Sequence, residues 1–277
     1  MRPLVLAAAG TLIVSSVATA SAATIVVPPG AGTLQAAIDA AAPGDKLVAA
    51  GTYKGPVVVD KRLKIVADRN APYPAILIDG ECTAAVPLTI SADRVKTKGP
   101  LVVIGATTTG VVIDGTSRSK FDVITAMETC GTATTGLVLR NSTRTNLRGG
   151  NVLDFTDTAL RVQDLPPRAR IKFWGLEGLG STTGLAVTNV ADGAGPNGAR
   201  VSIRVLADGG VGGDIVLSNA DGIVVEKSNF SGVAGTSVTI DAASANNIFR
   251  SNSVHTVSDA GIDTCWKGNS GYADSCP

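Results

Sequence analysis

Short aliphatic segments recur along this chain with a regularity that most folds cannot accommodate. They stand at residues 63–65, 75–78, 88–90, 101–104, 111–113, 137–139, 185–187, 215–217, 223–225 and 238–240, separated by polar or glycine-rich corners. Each is too short for a helix and reads as a strand bounded by turns. Two longer matches set the spacing. Lys227-Ser228-Asn229 returns as Arg250-Ser251-Asn252 after 23 residues, and 188–193 resembles 218–222 at an offset of 30. A coil of about 23 residues with occasional insertions is the arithmetic of a solenoid, in which each repeat buries its apolar face against its neighbours. Asn189, Asn219, Asn229, Asn252 and Asn269 fall at corners of such coils, where asparagine tolerates left-handed backbone and bonds local main chain.

One stretch breaks the pattern. Thr33 is a residue type that caps helices, Leu34, Ile38 and Ala41 share a helical face, and Pro43-Gly44-Asp45 ends the run. The spacing predicts one amphipathic helix over 33–41, covering the end of a β stack. This opening resembles the N-terminal cap of the secreted right-handed parallel β-helix proteins, the pectate-lyase-like and pectin-methylesterase-like superfamily. Gly51-Thr52-Tyr53 and Thr158-Ala159-Leu160-Arg161-Val162 are similar to segments of the methylesterases. The resemblance implies an all-β, right-handed parallel β-helix over 23–277, with one capping α-helix, three short strands per coil and a polysaccharide partner. A β-sandwich is the competing architecture. Asp79-Gly80, Asp114-Gly115 and Asp221-Gly222 supply hairpin dipeptides for it, but a sandwich has no role for the helix or the asparagine offsets.

Residues 1–22 have the charged start, apolar run and small-residue end of a secretory leader. The apolar run is shorter than the ~20 residues a membrane helix needs, so no membrane anchor is expected and the mature chain is placed in a periplasm or outside the cell. The chain carries 24 basic and 23 acidic residues, and removal of Arg2 leaves 23 against 23. That balance argues against nucleic acid or an anionic membrane as the main partner. Four cysteines in an exported chain are most simply two disulfides. Cys265 and Cys276 close a short C-terminal loop, which leaves Cys82 and Cys130 to pair.

The resemblance also allows a motif check. Of the polygalacturonase-like set, Arg170-Ile171-Lys172 is present but Gly-His-Gly is not, and His255 is the one histidine. Asp154-Phe155 begins a methylesterase motif but continues Thr156-Asp157, and no Gly-Arg-Pro-Trp follows. A lyase requires less linear sequence: a cation or Ca²⁺ to neutralise a uronate carboxylate and a basic residue to take the α-proton. The densest charged group lies between Asp154 and Trp174. In a lyase reading Asp154 and Asp157 hold Ca²⁺, Lys172 or Arg170 is the base, and Arg161 and Trp174 bind the sugar. The alternative is a non-catalytic surface or periplasmic β-helix that binds glycans or proteins, or serves only as a scaffold.

Overall fold

A computed structural model describes residues 21–190, 200–205, 215–230 and 236–277. Residues 1–20 of the leader, and 191–193 of one sequence match, lie outside them. The chain is a right-handed parallel β-helix. Its strands fall on three faces. The first face stacks Thr24–Val27, Lys46–Ala49, Lys64–Ala67, Lys96–Lys98, Lys120–Phe121, the starts of Asn146–Leu153 and Arg170–Leu179, then Arg200–Val205, Ile223–Glu226, Ile248–Arg250 and Cys265–Lys267. The second face stacks Gly51–Lys54, Ile76–Ala84, Pro100–Ala106, Val123–Met127 and the ends of the two long strands. The third runs from Val57–Val59 through Thr109–Asp114, Thr158–Leu165 and Thr183–Val190 to Val257–Asp259 in a nine-stranded sheet. All strand pairs among the described residues are parallel, which excludes the sandwich.

Inward side chains line up in columns because the pairing is in register. On the first face one column runs Leu47, Ile65, Thr97, Phe121, Leu147, Phe173, Ile203, Val225, Phe249 and Trp266, all buried. Asparagine has two roles. Asn189 and Asn219 are left-handed corners linked by Asn219 Nδ2 donating to Asn189 Oδ1 at 3.2 Å. Asn247 and Asn252 point inward, each accepting a backbone N–H from the coil below and donating to a carbonyl of that same coil. Parallel coils leave such corner groups unpaired unless a side chain reaches them.

Both ends are closed. The helix spans Thr33–Ala40 and buries Leu34 and Ile38. Thr33 does not cap it: Gly32 holds the N-cap position, and the Thr33 hydroxyl donates instead to Pro28 O at 2.8 Å and Gly30 O at 3.0 Å. Nearby the buried Tyr53 hydroxyl donates to Val27 O at 2.9 Å, and burial pushes its pKa up. At the other end Trp266 stacks on Phe249 with centroids 4.3 Å apart, and Tyr272 leans on Trp266. The tail then turns back, forming an antiparallel bridge between Trp266 and Ser275. Both expected disulfides are present, Cys265–Cys276 with Cα atoms 4.2 Å apart and Cys82–Cys130 at 5.6 Å.

The stacking allows little added volume at Gly150, which lies at the bend between the first two faces with φ 125°. A Cβ there would sit 1.8 Å from Ile124 O of the coil below. Gly150→Ala is expected to cost about 2–4 kcal/mol, from backbone strain and steric overlap together. Gly115→Ala, left-handed but with open space around it, is expected to cost about 1–2 kcal/mol. Urea midpoints that do not separate the two variants contradict this account of coil spacing. The disulfide loops differ as well: a separation of 48 residues against 11 predicts losses of about 4 and about 3 kcal/mol when each pair is replaced by serine.

Candidate functional site

Alternation along a strand sends every second side chain outward. In Arg62-Leu63-Lys64-Ile65, Leu63 and Ile65 enter the core while Arg62 and Lys64 stay exposed. The same basic–inward–basic unit returns as Arg94-Val95-Lys96, Arg118-Ser119-Lys120 and Arg170-Ile171-Lys172, and as Arg144-Thr145-Asn146 in the coil where asparagine replaces lysine. The register places Lys46, Lys64, Lys96, Lys120, Asn146 and Lys172 on successive rungs of the first face. The arginines two residues earlier form a parallel column. A third outward column runs Val66, Lys98, Asp122, Arg148 and Trp174, so it adds two cations and one acid before Trp174, which pairs with Arg148. Between Arg62 and Lys172 the first face therefore presents 11 exposed cations, with rungs about 4.8 Å apart.

These charges are not neutralised by neighbours. Four ion pairs occur among the described residues: Lys54–Glu81, Arg140–Asp114, Arg161–Asp157 and Arg250–Glu226. None includes a residue of the ladder. Two acids border it without pairing: Asp93 accepts Ser117 N–H at 2.7 Å, and Asp122, which lines the middle of the groove, accepts Gly99 N–H at 3.2 Å and offsets part of the charge of its coil. Like charges directly opposite one another on paired strands are destabilising, so five successive coils of cations lower stability where a neutral surface would not. That cost is the physical reason to read the ladder as a binding surface.

The side chains enclose a run of shallow depressions of about 450, 280 and 390 Å³. Adjacent depressions share lining residues, Lys64, Lys96 and Lys120 between the first two and Asn146 and Arg148 between the last two, so they form one groove along the helix axis. The last is lined by Asn146, Arg148, Lys172 and Trp174, with Trp174 46% exposed. The buried Oδ1 of Asn146 has no hydrogen-bond partner there. At the opposite end Gly44 takes the arginine position, and a Cβ on it would lie 2.9 Å from an Arg62 guanidinium nitrogen.

The residues expected to cooperate between Asp154 and Trp174 do not all meet. Lys172, Arg170 and Trp174 lie together on the first face. Asp154 is a left-handed corner residue after the second face, stacked beneath Gly180. Asp157 sits at the start of the third face, where its Oδ2 accepts from Arg161 Nη2 at 3.0 Å. Neighbours in sequence are separated because the chain turns a corner between Leu165 and Arg170. Asp154 and Asp157 therefore lie apart from Lys172, and no group of three or more Asp, Glu, His or Cys among the described residues is arranged to hold a metal. Arg161 faces away from the groove. His255 is an exposed residue near the C-terminal end.

What sequence reading missed is the repeat of Arg-x-Lys itself. Arg170-Ile171-Lys172, met as a fragment of a hydrolase motif, is one of four copies. The overall charge balance concealed it, because all but a few of the compensating acids, Asp122 among the exceptions, lie away from the ladder.

No protein-family model matches this chain, and no curated protein is similar to it. Among solved structures, an alginate lyase from Paenibacillus sp. str. FPU-7 superposes with a TM-score of 0.55 at 14% identity, over 89% of this chain and 95% of that one. Pectate lyase Pel9A gives 0.47 at 15% identity, over 92% and 82%. The first likeness establishes the shared fold.

A direct consequence of segregated charge is retention on a cation exchanger near neutral pH despite a formal net charge of +1. Replacing Arg94, Lys96 and Lys120 by glutamine is expected to move elution to markedly lower salt, whereas replacing Lys54, Arg140 and Arg250, which removes as much net charge but from cations each beside a carboxylate outside the ladder, is expected to move it less. Equal shifts for the two triple variants contradict a localised cationic face.

Proposed function

We propose that this protein binds an acidic polysaccharide laid along the first face and cleaves it by β-elimination at the Lys172 end of the groove. The Arg-x-Lys ladder carries this reading: a linear array of exposed cations complements a linear array of carboxylates. Single-stranded nucleic acid is the less suitable polyanion, because its binding relies on aromatic platforms for successive bases. Trp174 is the one aromatic side chain among the outward residues of the ladder. Two disulfides support an oxidising compartment, where exported proteins meet such glycans.

In the catalytic part of this reading Trp174 stacks on a sugar ring. Arg148 and Arg144 neutralise the carboxylate, which acidifies the α-proton; Lys172 or Arg170 removes that proton, its electron pair forms a C=C bond as the β C–O bond breaks, and the departing glycosidic oxygen takes a proton from water. The guanidinium groups take the role that Ca²⁺ plays in the expectation built on Asp154 and Asp157. The second reading is binding without cleavage, favoured by the extent of the ladder over five coils, when elimination needs only one.

Purified protein incubated with polymannuronate or polygalacturonate tests both. Rising ultraviolet absorbance from unsaturated products is expected, and Lys172→Ala is expected to abolish it while leaving stability within about 0.5 kcal/mol, since Lys172 is exposed. Binding with no absorbance change in the wild type leaves the non-catalytic reading. Preferential displacement of polyuronate by single-stranded DNA of equal charge refutes the polysaccharide assignment.

A further inference from the structure

We propose that the ladder is a finite, charge-matched track that holds five or six consecutive uronate rings, one ring per coil; this rests on the polysaccharide reading above. The rung spacing is the coil rise, about 4.8 Å, on the order of the length of a single 1,4-linked hexuronate ring. A polymer lying parallel to the helix axis thus meets a new rung with each new carboxylate. Every coil from Arg62 to Lys172 offers at least two exposed cations, and where Asn146 interrupts the lysine column, Arg148 maintains the number. Two donors per coil suit a carboxylate with two oxygens.

The track has ends. On the N-terminal side Gly44 removes the arginine, leaving Lys46 as the one ladder cation of that coil. On the C-terminal side Arg200 pairs in register with Arg170 for one more coil. The lysine column ends in that coil, where Ser202 pairs with Lys172, and the next coil adds Val224 to it and brings Glu226, whose carboxylate is held by Arg250, into the third column. The cationic run is therefore on the order of 20–25 Å long.

The test is calorimetric titration of the whole protein with oligomannuronates and oligogalacturonates from dimer to decamer, in the cold at low salt, with ligand integrity followed by product absorbance. Affinity is expected to rise with each added ring and level off at five or six. A polymer with a carboxylate on alternate rings engages every second rung, so the slope of log affinity against log salt is expected to be about half that of polyuronate. Arg62→Gln with Lys64→Gln is expected to weaken the hexamer about tenfold and leave the trimer nearly unchanged, because a trimer retains other registers. A plateau at dimer or trimer, continued gain beyond octamer, or equal loss for trimer and hexamer overturns the track. Failure of every oligomer and polymer to bind at low salt instead overturns the polysaccharide reading on which it rests.

Discussion

In-register parallel pairing between successive coils is the constraint from which the rest of this molecule follows. Once Leu47 lies over Ile65 and Phe121 over Leu147, backbone hydrogen bonds fix the position of every outward neighbour as well. A one-residue slip would put Arg62 and Lys64 in the core and Leu63 in water. The buried column and the charged columns are thus two sides of one alternation, and the core's preference for a single register also aligns the surface.

The groove is cheap in structural terms and costly in electrostatic terms. It uses no buried charge: the lysines stand on strands, while Arg62, Arg94, Arg118 and Arg144 lie at the corners just before them, three of these with left-handed backbone at φ 50–57°. Exposure to solvent and counterions limits the repulsion among them, since charges beyond about 8 Å are screened at physiological salt. Asn146 further relieves the lysine column one rung before its end, and it does so beside Trp174, where a ring needs room more than a charge.

Much of the fold was legible in the sequence. Apolar triplets, the helix at 33–41 and the even cysteine count led to coils, cap and disulfides because each depends on local spacing. Thr33 was read from residue type alone, and tertiary context assigned its hydroxyl to the preceding loop. The site was less legible. Lys172, Arg170 and Trp174 do share a face, yet grouping them with Asp154, Asp157 and Arg161 assumed that closeness in sequence means closeness in space. In a solenoid the opposite holds. Lys172 lies nearer Lys120, two coils below, than its distance in sequence suggests, and Asp157 belongs to a different face. Charge had to be counted coil by coil for the Arg-x-Lys pattern to emerge.

The closed ends bear on how such a surface changes over generations. The helix packs over one mouth and the tail beyond Trp266 folds back on the last coil at the other. Each coil touches only the coils above and below it. A duplicated coil of the Arg94–Lys98 type would lengthen the charged run by one rung and leave both ends intact, and a deleted one would shorten it equally. Reach in this molecule is accordingly a whole number, altered by copying or losing a segment of the gene rather than by remodelling a pocket.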